Sequence, residues 1–389
     1  MLCSDSSSIR ESANSQLLDQ LGQNLPGVTK LDISIPRSAN LSTLVGGMVL
    51  QYAGQLVHIS LSNTLGLSPA PFSEQLSSLR IGSGALENSA LRLPVDSLAT
   101  LHLDNVSQRI PWSRFGQEMN ASQVDFPSLR NLHISYNDEP LPASGPGALD
   151  ARPECTPSFS RLETLVIRNL PSAATELRYS KFARKVDSIA ITCNVVALAA
   201  LTRFSLPVAD SMHIGLRLDG TPSARQFLDS ANHLFGGSGV RAQRLSLSLS
   251  GLLWLPAPAE DISWSNLSTL TVGSDITMGC ILLLIPHLPA SCQLNIRNFP
   301  AKYACFSQIP EEKLAPAPLH SKLTLVSFSY DTAKATKEQV LAFLGYLMVR
   351  VAPLPKLLLP STLLTLVDDF VIDYMWTYPH LLDVGIVVY

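Results

Sequence analysis

A chain of 389 residues with 46% hydrophobic and only 15% charged residues buries too much to be disordered, and it exceeds an ordinary single core unless the fold is elongated. Its formal charge of −3 supplies no global attraction to nucleic acid or to an anionic membrane surface. The six cysteines form no C-x-x-C pair and stand at no zinc-ligand spacing to histidine, which predicts free, mostly buried thiols in a reducing compartment, cytoplasmic or nuclear.

In chain order, the opening MLCSDSSSIRESANSQ lacks a basic stretch followed by an apolar one, so no secretory signal is read there. A first strand is expected at VTKLDISI around Leu31. The same shape then returns as LATLHLDN (98 to 105), LRNLHISYN (129 to 137) and LETLVIRN (162 to 169). Written as L-x-x-L-x-L, the phrase can be laid along the chain with central residues Leu31, Ile59, Leu79, Leu101, Leu132, Leu165, Ile189, Ile214, Leu245, Leu270, Leu294, Leu323, Leu357 and Val384. These centres recur about every 27 residues, a period typical of repeat solenoids. Alternation puts the aliphatics on one face of a short strand, and such a strand can bury that face only by stacking on its neighbours. The predicted fold is therefore α/β: one solenoid domain over 1–389 with about 14 repeats, a curved parallel sheet on the concave side, and helices and irregular segments on the convex side.

Between the strands, residues 137–159 hold five prolines and no apolar period, which predicts an exposed flexible loop. Residues 221–237 read as a helix, with Pro222 at its start and apolar residues at three- and four-residue spacing up to a glycine stop. Residues 334–350 and 361–376 read the same way. The most apolar run, CILLLIPHLP at 280 to 289, is about half a membrane span, and no membrane association is expected. The closing LLDVGIVVY ends on the last strand, so self-association through a C-terminal sheet edge is expected.

No signature of a nucleotide loop, a zinc protease or a serine hydrolase occurs, and neither enzymatic activity nor a cofactor is expected. His102 and His133 hold equivalent places in neighbouring strands with Asp104 on the same face; two neutral histidines are preferred there over a metal site, because Arg80 in the preceding strand disfavours further positive charge. The residues flanking the aliphatics form the open face of the sheet. Its cations are Lys30, Arg80, Arg168, Arg217, Arg244, Arg297, Lys322 and Lys356, against Asp32, Asp104 and Asp383. Basic residues are thus more than twice as common there as chance would place them, while acidic ones are not enriched. A near absence of aromatics argues against stacked nucleic-acid bases. The expected partner is an acidic protein segment held by Arg80, His102, His133, Arg168, Arg217, Arg244 and Arg297.

The repeats resemble the irregular leucine-rich-repeat domains of the ribonuclease-inhibitor-like class, most closely those of fungal F-box proteins. The family's asparagine after the strand is present in only part of the repeats, for example Asn105, Asn137 and Asn169. The resemblance implies a protein-binding scaffold. Its alternative implication is the substrate-receptor part of an F-box-type ubiquitin ligase adaptor, although residues 9 to 25 lead straight into the first strand with no F-box before it.

Overall fold

In a computed structural model, the residues described are 29–34, 54–62, 74–82, 94–106, 110, 112–115, 122–137, 155–171, 175–201, 206–217, 224–235, 242–250, 264–273, 284, 288–289, 291–296, 319–320, 325–328, 351–352, 356–359 and 385–388. The chain divides into two compact units, Met1–Ser188 with Phe204–Pro207, and Ile189–Arg203 with Val208–Tyr389, a division that the sequence reading of one domain does not make.

In the first unit the L-x-x-L-x-L phrase becomes strand. The strands are β1 (Lys30–Ser34), β2 (His58–Ser62), β3 (Ser78–Gly82), β4 (Thr100–Val106), β5 (Gln123–Asp125), β6 (Asn131–Tyr136), β7 (Thr156–Phe159), β8 (Thr164–Leu170), β9 (Lys181–Phe182) and the start of β10 (Lys185–Asn194). A single turn of 3-10 helix covers Trp112–Phe115, and helix α1 covers Thr175–Tyr179. β1, β2, β3, β4, β6 and β8 lie side by side, all parallel. Leu31, Ile59, Leu79, Leu101, Leu132 and Leu165 stand in one register, as the repeat predicts. The leading residue of the phrase is also buried, at Leu56, Leu76, Leu98, Leu129, Leu162 and Val186.

A hydrogen-bond device recurs from strand to strand of this unit's larger sheet. One backbone carbonyl, two places before the central aliphatic, accepts from two successive amides of the next strand. Thr29 takes the amides of Val57 and His58, Val57 those of Ser77 and Ser78, and Ser77 those of Ala99 and Thr100. Ala99, Arg130 and Glu163 continue the series, ending on Asp187 and Ser188. The device sets the register, because each entry is anchored to the same point of its predecessor. Two strands end with an asparagine in the left-handed region, Asn105 and Asn169, both at φ 53°. Asparagine tolerates that conformation better than any residue but glycine. At Asn105 it makes a bulge, with Asp104 and Asn105 opposite Ser135 alone.

A second, three-stranded parallel sheet is ordered β5, β7, β9, and it takes into a strand the last four residues of the stretch expected to be a loop, 137–159. Residues 156–159 form β7, and Cys155 and Phe159 are buried; residues 138–154 lie outside those described. Prolines argue against a strand, yet Pro157, buried opposite Val124, breaks no bond to β5, because the amide of Thr156 and the carbonyl of Ser158 make those bonds on either side of it. Trp112, Phe115, Phe126 and Phe159 pack ring on ring beside it, with centroids 5.3 to 5.9 Å apart.

The second unit takes up β10 from Ile189. It adds helix α2 (Val195–Leu201), β11 (Val208–Arg217), helix α3 (Ala224–Phe235), β12 (Ala242–Ser250), β13 (Leu267–Val272) and β14 (Gln293–Ile296). There follow β15 (Leu319–His320), β16 (Leu325–Phe328), β17 (Val351–Ala352), β18 (Lys356–Leu359) and β19 (Gly385–Val388). The helix expected over 221–237 is α3; those expected over 334–350 and 361–376 lie outside the described residues. Asn194 caps α2 by accepting from the amide of Ala197 at 2.9 Å. β10 to β14, then β16, β18 and β19, run side by side, and β15 pairs with β17 apart from them.

Register departs from the reading here. Ile214 stands opposite Leu247 rather than Leu245, and the column continues through Leu270, Leu294, Val326, Leu357 and Ile386. Leu245 and Val384 are each two places off, which preserves the face, whereas Leu323 is three off, which reverses it. Gly215 is held by a close approach, since a Cβ there would lie 2.9 Å from the Thr192 methyl on β10. Gly215→Ala is therefore expected to cost about 1 kcal/mol in urea unfolding, and Thr192→Ser, which removes that methyl, to restore most of it. Independent, additive effects of the two changes would refute the contact.

Candidate functional site: the polar face of the first unit

The alternation that buries Leu101 and Leu103 leaves His102 and Asp104 on the open face, and the common register lines up their equivalents. One row runs Asp32, Ser60, Arg80, His102, His133, Val166. The next row places Gly82 beside Asp104 and Ser135 beside Arg168. Of the expected partner-binding residues, Arg80, His102, His133 and Arg168 are thus gathered on one unit.

Arg80 reaches diagonally to Asp104, with Nε 2.5 Å from Oδ2, half of its side chain exposed. Next to that pair the His102 and His133 rings stack at 4.1 Å between centroids and 7° between planes. Partial burial, then the neighbouring His133 and Arg80, lower the pKa of His102 from 6.5 to about 4; Asp104 opposes this and loses. His133 is lowered too, by partial burial first and then by Arg168. Both rings are consequently neutral at pH 7. Arg168 is exposed at the end of the rows, one strand from His133, and no ion pair closes it among the described residues.

Geometry bears on the metal alternative. Imidazole lone pairs lie in the ring planes, so two nearly parallel planes 4.1 Å apart cannot both point at one ion about 2 Å away. Asp104 is engaged by Arg80. Among the described residues no group of three or more potential ligands could hold a metal ion.

The remaining expected residues lie elsewhere. Arg217 and Arg244 belong to the second unit, opposite Ser250 and Ser211 respectively. Six residues of strand separate those levels, about 20 Å, too far for both to grip one carboxylate. Arg297, with Lys322 and Asp383, lies outside the described residues. The positive charge left unpaired on this face is therefore smaller than the number of cations suggests, because Arg80 is compensated by Asp104 and the histidines are uncharged. Sequence reasoning missed a second ion pair at strand entry, Arg130 Nη1 with Glu163 Oε1 at 2.6 Å. It also missed the Lys181–Gln123–Asp125 chain on the small sheet, at 2.7 Å per link. The first joins neighbouring repeats and the second spans the small sheet from β9 to β5, contacts that no single-repeat pattern displays. Burial pushes the Cys193 and Cys292 thiols up to about 12, so neither is a nucleophile at neutral pH.

Among the described residues no helix is long and apolar enough to cross a membrane. No family model, curated protein or solved structure matches the chain.

Proposed function

We propose that the chain is a protein-interaction module, without catalytic activity or cofactor, that takes an acidic protein segment on the polar face of its first unit. Arg168 carries the reading: an exposed guanidinium, uncompensated by any ion pair among the described residues, beside two neutral imidazoles on a regular sheet. A guanidinium grips a carboxylate bidentately, and an extended peptide laid across the rows would offer its side chains at comparable spacing. The parallel, solenoid-like sheet is compatible with the leucine-rich-repeat resemblance, which points to the same class of activity.

The test is fluorescence anisotropy with a labelled twelve-residue aspartate peptide. Arg168→Glu is expected to weaken binding at least tenfold and to flatten its salt dependence, with the melting temperature unchanged, since Arg168 contributes nothing to the apolar core. An unchanged affinity and an unchanged salt slope would show that the cation only solvates the sheet.

A further inference from the structure

We infer that the stacked His102–His133 pair couples peptide binding on this face to the uptake of one proton, so that the face grips carboxylates more tightly in acid. The inference rests on the reading that the face binds an acidic segment.

The argument starts from what surrounds the rings. β2 contributes His58 and Ser60, β3 contributes Arg80, and β8 contributes Val166 and Arg168. Asp104, on β4, and Ser135, on β6, complete the surroundings. Every charged neighbour but one is a cation, and the exception, Asp104, already bonds to Arg80. An imidazolium here meets two guanidiniums and a half-dry setting with no free counter-charge. A carboxylate arriving at Arg168 supplies the missing negative charge, one strand from His133. It must raise the proton affinity of the rings, and by reciprocity a protonated ring must raise the affinity for the carboxylate.

Proton balance is simple. One ring nitrogen takes a proton from solvent, and the peptide carboxylates stay ionised. The stack limits the uptake to one, because a single imidazolium lies favourably over a neutral ring, whereas two would set like charges 4.1 Å apart. Taking up one proton increases affinity by at most tenfold per pH unit.

The experiment follows the aspartate peptide at pH 7.5 and 5.5, where its carboxylates, titrating near 3.9 in isolation, remain ionised. Affinity is expected to rise about tenfold on acidification. The gain should vanish in His102→Gln/His133→Gln, while dependence on Arg168 persists. Titration calorimetry of the unaltered protein in two buffers of different ionisation enthalpy reads the same uptake, so the inference does not hang on the folding of the double variant. Binding that needs Arg168 but ignores pH overturns the coupling and leaves the proposed function standing. A gain that survives in the double variant also overturns the coupling. Absence of binding at both pH values overturns both.

Discussion

Replacing Phe126 by Ala lowers the unfolding free energy of the first unit by about 3–5 kcal/mol, the range for emptying a fully buried aromatic site. Phe126 has no exposed surface, and its ring meets Phe159 at 5.3 Å and both Trp112 and Phe115 at 5.9 Å. No neighbour can close the gap, since each ring of the group is wedged by the others: Trp112 sits edge-on to Phe126 at 79° and to Phe159 at 70°. The backbone is tied down as well, because the amide of Phe126 donates to the carbonyl of Ser158 at 2.8 Å. Urea unfolding followed by tryptophan fluorescence should register the loss through Trp112. A loss below about 1 kcal/mol would mean that the group is not a packed core.

Acid will destabilise the fold through His102. Its folded pKa lies below the ordinary value, so the neutral ring is the folded form and the stabilisation is complete above pH 6.5. As pH falls from 6.5 through about 4, the unfolded chain takes the proton first and stability drains away. Full transfer of that difference would amount to roughly 3 kcal/mol, which half-exposure of the ring cuts to about 1.5 kcal/mol. His133 works in the same direction. Carboxylates titrate over part of this range, so the informative quantity is the difference between the unaltered protein and His102→Gln in urea midpoints at pH 7, 5.5 and 4. Parallel curves for the two would show that the ring is not held neutral by the fold.

How much was legible beforehand follows from the length scale on which each feature is encoded. The five strand pairings from β1 to β8 were readable, because Leu-x-x-Leu-x-Leu leaves one frame that buries every aliphatic. β12 defeated the same method: in LSLSLS, Leu245, Leu247 and Leu249 are equally good centres, and only pairing with Ile214 selects Leu247. KLTLVSF, which ends in β16, offers two frames of opposite parity, Leu323 with Leu325 and Val326 with Phe328, and only pairing with β14 selects the second. β7 was hidden by its proline and by its length of four residues. The polar face was read as a sum of charges. A count of charges does not show that Arg80 and Asp104 sit one strand and two residues apart, where a long side chain reaches diagonally and pairs with the carboxylate. The histidine stack was legible as proximity only, since ring orientation depends on both strands at once.

The paired acceptance at each strand entry has a bearing on how such a chain could be lengthened or trimmed. The anchoring carbonyls of Thr29, Val57, Ser77, Ala99, Arg130 and Glu163 lie from 20 to 33 residues apart, yet each engages its successor identically. Chain entropy grows so slowly with loop length that this spread costs only about 0.4 kcal/mol between its extremes. The number of residues in a loop between anchors is therefore nearly free in closure entropy, while a single residue added between an anchor and its strand would turn the following side chains to the opposite face. The entry anchors thus act as a ruler: they hold the strands in step whatever number of residues the chain spends between one anchor and the next.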